Sequence, residues 1–159
     1  MPLYKLDLQT KVWSIVKTEG PKPPVAEEFT ACVYKDKLYR HGGESVMVDA
    51  FLNSLWCFDF ATCKWKQLSS TGSLERKLHS MFGYHDKLYI FGGVTYLSPE
   101  KKVKMHQRSL RAFQCFDLKD RKWETMRCVG DDPYDLSEYT MLPLCQGGED
   151  SEPTSILVW

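Results

Sequence analysis

Two stretches decide how this chain folds: Asp36-Lys37-Leu38-Tyr39-Arg40-His41-Gly42-Gly43 and, 50 residues on, Asp86-Lys87-Leu88-Tyr89-Ile90-Phe91-Gly92-Gly93. Each follows a strand-like run, residues 29–34 and 79–84. Asp-Lys after Lys35 or His85 reads as a hairpin turn. The Gly pair ends the next strand, where the backbone must come close to its surroundings or take positive φ. Outward from these, a second cassette recurs three times: Asp, five residues, Trp, six residues, Gly. It reads Asp7, Trp13, Gly20; Asp59, Trp65, Gly72; and Asp117, Trp123, Gly130. An apolar stretch precedes each Asp and a short turn follows it, so the cassette is strand, turn, strand. The Asp side chain accepts from turn amides, and the Trp opens the second strand.

Together the cassettes define a unit of four strands, a to d, in about 50 residues. Strands a to d are expected near 29–34, 37–41, 54–59 and 65–69, then near 79–84, 87–91, 112–117 and 123–127. The 159 residues have ordinary globular composition, with 43% hydrophobic, 26% charged and 13% aromatic residues. Disorder is thereby disfavoured. Lys plus Arg and Asp plus Glu both number 21. Zero net charge disfavours nucleic acid or an anionic membrane as main partner. No apolar run reaches the length of a membrane span or a signal peptide, so the cytoplasm, or the nucleus, is the expected location. Six cysteines without Cys-x-x-Cys pairs read as free thiols of a reducing compartment.

The sequence resembles the kelch-repeat family. The resemblance rests on the pairs Gly42-Gly43 and Gly92-Gly93, on Tyr39 and Tyr89 three residues before them, on Trp65 and Trp123, and on Arg76-x-x-His79-Ser80 opening strand a. It implies an all-β fold of four-stranded antiparallel β-propeller blades. The first full unit departs from the pattern, with Ala26 and Phe29 where the second has Arg76 and His79, and Arg40-His41 where the second has Ile90-Phe91. The expected division is strands c and d of an incomplete blade over residues 1–19, full blades over 20–71 and 72–129, and strands a and b of a truncated blade over 130–159. About three blades' worth is too little to close a ring. The expectation is a fragment or short isoform of a longer propeller, or a chain that self-associates through unpaired blade edges.

The recurring residues read as structural. Trp13, Trp65 and Trp123 pack between blades; Asp7, Asp59 and Asp117 cap turns. The Gly pairs lack the helix N-terminus and Gly-Lys-Ser/Thr of a phosphate cradle. His41, His79, His85 and His106 show no metal-ligand spacing, His79 reads as a hydrogen-bonded structural residue, and no nucleophile stands beside a base. No catalytic residue, metal or cofactor is therefore assigned.

In an antiparallel blade the b–c and d–a connections share one face, and all length variation falls there: 16 residues from Gly43 to Asp59, but 24 from Gly93 to Asp117. Such variation marks a recognition face. The resemblance implies a protein-interaction module, a scaffold or a ubiquitin-ligase substrate receptor. Two other readings stay open: a propeller-type enzyme using the central channel, and a truncated isoform without activity. The recognition face is expected to centre on residues 94–112, flanked by 44–53 and 73–77. Tyr96 and Leu97 are its candidate anchors, and Lys101, Lys102, Lys104, Arg108 and Arg111 suit an acidic protein partner.

Overall fold

The computed structural model of the chain describes residues 2–96, 107–109, 112–131, 140–145 and 153–158. Every regular element among them is a strand: β1 (Leu3–Leu6), β2 (Trp13–Val16), β3 (Thr30–Tyr34), β4 (Lys37–His41), β5 (Glu44–Ser45), β6 (Ala50–Phe51), β7 (Leu55–Asp59), β8 (Lys64–Ser69), β9 (Ser80–Tyr84), β10 (Lys87–Phe91), β11 (Val94–Tyr96), β12 (Gln107–Ser109), β13 (Phe113–Asp117), β14 (Lys122–Met126), β15 (Met141–Cys145) and β16 (Pro153–Val158). Two four-stranded antiparallel sheets, β3-β4-β7-β8 and β9-β10-β13-β14, are the two full blades. The ribbon β1-β2 precedes them and the ribbon β15-β16 follows. Two further ribbons, β5-β6 and β11-β12, are built inside the b–c connections.

Local chemistry sets the registers. The a–b hairpins turn on Lys35-Asp36 and His85-Asp86, with φ of 45° and 56°, and 46° and 57°. Two consecutive positive φ values make a type I′ turn, whose twist matches the flanking strands. The turn thus lies one residue ahead of the Asp-Lys dipeptide, and Lys37 and Lys87 are already in strand b. At the c–d turns, Asp7 Oδ1 accepts from Gln9 and Thr10 amides at 3.0 and 2.8 Å. Asp59 does the same for Ala61 and Thr62, and Asp117 for Lys119 and Asp120. These hydrogen bonds, with the Lys37 ammonium the largest influence on Asp59, hold that carboxyl down at about 2.

The core lies between the two full blades. Tyr39, Leu55 and Cys57 of the first meet Met81, Leu88, Ile90 and Phe116 of the second. Each fully buried residue of this kind contributes about 1.5–3 kcal/mol. Strand a of one blade lies beside strand a of the next, as β3 and β9 do. The Tyr34 ring closes over Gly83, where a Cβ would stand 2.4 Å from it, and its hydroxyl accepts from the Asp86 amide at 3.0 Å. At the outer rim, Trp123 lies on Gly72 (φ +92°) with 2.8 Å between its Cδ1 and the place a Cβ would take. Its indole N–H donates to Ser69 Oγ at 3.2 Å. Each blade's Trp-bearing strand is therefore fastened to the end of the blade before it.

Candidate functional site

Among the described residues, the b–c connections at 42–54 and 92–96 and the d–a connections at 17–29 and 70–79 meet in one layer over the blade ends. Gly43 and Gly93 turn the chain into this layer, and each approaches the incoming d–a connection closely: a Cβ on Gly93 would stand 2.3 Å from the Lys77 carbonyl. The backbone there is a ladder, with Glu27 and Glu44 exchanging amide bonds at 2.9 and 2.8 Å, and Lys77 and Val94 at 3.2 and 3.0 Å. Ribbon is joined to ribbon by side chains. The rings of Phe51 and Tyr96 stack at 4.5 Å, and the Tyr96 hydroxyl accepts from the Phe51 amide at 2.7 Å. The Lys77 ammonium reaches Glu28 at 2.7 Å and Glu44 at 2.8 Å, and Thr95 Oγ1 donates to the Glu75 carbonyl. Above this ordered base stands the turn between β5 and β6, with Val46, Met47 and Val48 all exposed, Met47 by 79%.

The sequence-derived residues fall unevenly on this layer. Tyr96 is within it but buried, its ring and hydroxyl both engaged with Phe51. It acts as a clamp between ribbons and does not offer an exposed anchor. Arg108 lies on β12 opposite Thr95. Leu97, Lys101, Lys102, Lys104 and Arg111 lie outside the described residues.

Sequence spacing missed a buried polar network beneath the layer. His41 Nδ1 and His79 Nε2 are 2.9 Å apart, and His41 Nε2 is 2.9 Å from Ser73 Oγ, which donates to the Asn53 carbonyl at 3.1 Å. His79 Nδ1 is buried with no hydrogen-bond partner, which assigns the protons in one direction: His79 Nε2–H to His41 Nδ1, His41 Nε2–H to Ser73. Beside them Arg76, fully buried, donates to the carbonyls of Gly92 and Ala112 and to Gln114 Oε1. Burial, with the Arg76 charge adding to it, holds His41 down at about 3 and His79 well below its ordinary value. Both imidazoles are neutral and enclosed, and the network ties the d–a connection to both blades. The two histidines are 38 residues apart, so no short-range pattern joins them; the signals present are Arg76-x-x-His79, with His79 read as hydrogen-bonded, and Arg40-His41 in place of the apolar pair of the second unit.

Among the described residues no group of three or more His, Cys, Asp or Glu is placed to hold a metal ion, and no helix is long and apolar enough to cross a membrane. A cleft of about 440 Å³ between the blades is lined by Lys37, Asp59, Lys64, Lys66 and Arg121 around Tyr39 and Phe116. Lys37 pairs with Asp59, Lys64 with Glu19 at 3.3 Å, and Arg121 donates to the Leu68 carbonyl.

The profile of the family described as "KLHDC2/KLHL20/DRC7 Kelch-repeats domain" matches residues 2–146. Human Host cell factor 1 is 34% identical over 140 residues, covering 78% of this chain and 7% of its own length. Human Host cell factor 2 is 33% identical over 139 residues, covering 77% of this chain and 17% of its own. Kelch domain-containing protein 3 of Bos taurus is 33% identical over 95 residues, or 57% of this chain and 24% of its own. The chain thus spans a small part of the relatives it matches.

Proposed function

Because the chain belongs to the kelch-repeat family, whose members are typically protein-interaction modules, we propose that it binds a protein partner through the b–c and d–a layer. The observation that carries this reading is the pair of locked ribbons presenting Val46, Met47 and Val48 to solvent. Exposed apolar side chains on an ordered base give contact area at little ordering cost. Lys101, Lys102, Lys104, Arg108 and Arg111 follow in the neighbouring connection, and their charge favours an acidic partner and fast association. A scaffold or substrate-receptor role in the cytoplasm or nucleus fits such a module.

A binding role is preferred to catalysis because the paired histidines His41 and His79 are buried and enclosed in a structural network, where a general base must reach its substrate. The open edges of β1 and β16 additionally favour association between copies.

The test is capture of partners by the immobilised chain, repeated with Val46, Met47 and Val48 changed to Ser and, separately, with residues 94–112 replaced by a short Gly/Ser linker. Loss of the same partner in either variant supports the reading. Retention of every partner with unchanged affinity and salt dependence in both variants overturns it.

A further inference from the structure

The two full blades show what a complete junction looks like, and the chain carries the halves of another one. In the complete junction, the face bearing Cys32, Tyr34, Tyr39 and Leu68 is covered by Met81, Leu88 and Ile90 of strands a and b, and by Phe116, Leu118 and Trp123 of strands c and d and the turn between them. The same face of the second blade bears Phe82, Tyr84, Tyr89 and Met126. It meets Met141, Ile156 and Val158 of β15-β16, which stand where Met81, Leu88 and Ile90 do. Nothing among the described residues stands where Phe116, Leu118 and Trp123 do. An open apolar groove of about 250 Å³ remains, lined by Phe82, Tyr84, Tyr89, Phe113, Met126 and Ile156.

The missing pieces are elsewhere on the chain. By the Asp-Trp-Gly cassette, Leu6, Leu8 and Trp13 correspond to Phe116, Leu118 and Trp123. Leu8 and Trp13 are 72% and 66% exposed on β1-β2, whereas Trp123 is half-buried on Gly72. Among the described residues the corresponding seat is empty too: a Cβ on Gly130 would meet none of them within 4 Å. Next to it, Val129 is 93% exposed. Its counterpart Glu19 exchanges backbone bonds with Cys63 of the following turn and Trp65 of β8. The converse face matches as well. Leu142, Leu144 and Leu157, at the positions of Cys32, Tyr34 and Tyr39, are exposed on β15-β16, and the first blade offers exposed Val33 and Phe29 on the face they would cover.

We propose that the occupant is a second copy of this chain, whose β1-β2 ribbon fills the groove beside β14 and β16 and seats Trp13 over Gly130. Applying the b–c register of the full blades, the second copy's β1 pairs with β16, with Leu6 opposite Ile156 and Tyr4 opposite Val158. The junction is head-to-tail, so repetition either closes a ring or grows a filament. Two copies of residues 1–159 supply the strands of six blades, inside the range of about four to eight in which propellers close, and three copies would exceed it. This inference deepens the self-association reading above and is independent of the loop layer.

The test is light scattering of the purified chain at roughly 10 μM, where interfaces of standard size associate. The expected mass is twice 18.5 kDa. Trp13→Ala, from the ribbon side, and Met126→Glu, from the groove side, each raise the dimer Kd about 30-fold or more, as loss of an interface anchor does. Both replaced side chains are exposed in the single chain, so far-UV circular dichroism stays that of the parent. Met47→Ser leaves the dimer intact. A parent chain that stays monomeric to roughly 100 μM, an assembly larger than two, a dimer indifferent to both Trp13→Ala and Met126→Glu, or one dissolved by Met47→Ser overturns the proposal.

Discussion

The His79–His41–Ser73 relay makes stability depend on pH in a stated direction. In the folded chain His41 stays neutral until about pH 3, while in the unfolded chain it takes a proton near its ordinary value of about 6.5. The unfolded state binds more protons below that value, so stability is complete above about pH 6.5 and falls as pH drops toward about 3. Over pH 7.5 to 5.0 the His41 contribution falls by about 2 kcal/mol, at 1.36 kcal/mol per unit. His79 is shifted in the same direction by burial and by the neighbouring His41 and Arg76, so its loss has the same sign. The geometry explains the resistance to protonation: a second proton on His41 Nδ1 would face the His79 Nε2 proton at 2.9 Å. His41→Phe, which installs the residue of the second blade's equivalent position, Phe91, lowers stability at pH 7.5 by about 1–3 kcal/mol because Ser73 and His79 lose a partner. It also removes about 2 kcal/mol of the acid-induced loss. Urea unfolding of both proteins at pH 7.5 and 5.0, at one fixed protein concentration, measures the difference. Equal acid-induced losses in parent and variant, or a His41 ring proton titrating near 6.5 by NMR, would refute the argument.

Arg76→Leu keeps volume but leaves the Gly92 and Ala112 carbonyls and Gln114 without their donor; a loss of about 3 kcal/mol or more is expected by denaturant titration. Gly72→Ala combines a positive φ with a Cβ 2.8 Å from Trp123 and is expected to cost about 2 kcal/mol by denaturant titration, with faster exchange of the Trp123 indole N–H as its hydrogen bond to Ser69 is lost. Tyr96→Phe removes one hydrogen bond to Phe51, about 1 kcal/mol, and speeds hydrogen exchange of the Phe51 amide while the global unfolding midpoint moves little. At pH 8, alkylation mapped by mass spectrometry should reach exposed Cys128 well before Cys32, whose thiol burial pushes up to about 12.

The strands are legible because both cassettes are local: a turn, a strand and a Gly sit within eight residues in one and fourteen in the other, and the registers follow. The a–b turns came out one residue early because Lys35 and His85 take the positive-φ position that a Gly or Asn would have advertised. The site was less legible. Tyr96 is an aromatic in a long connection, the usual sign of an anchor, yet the ribbon alternation turns its ring inward to Phe51. Residues 44–53 are expected only as a flank of the recognition face, because connection length marks a face but not which side chains stand out from it; the ribbon β5-β6 on either side lifts Val46, Met47 and Val48 into solvent. His41 meets the Arg76-x-x-His79 motif only through the stacking of one blade on another, which no window of sequence contains.

The seat at Gly72 is made long before the residue that fills it. Trp123 leaves the ribosome 51 residues later, about 3–10 s at ordinary rates of synthesis. During that interval the first blade can form its own ladder but shows one apolar face, with Tyr39, Cys57 and Leu68, to whatever is nearby. Translation speed across residues 73–123 therefore sets how long a nascent chain must be sheltered. A pause placed there would lengthen chaperone residence and lower the yield of folded protein without changing a single residue.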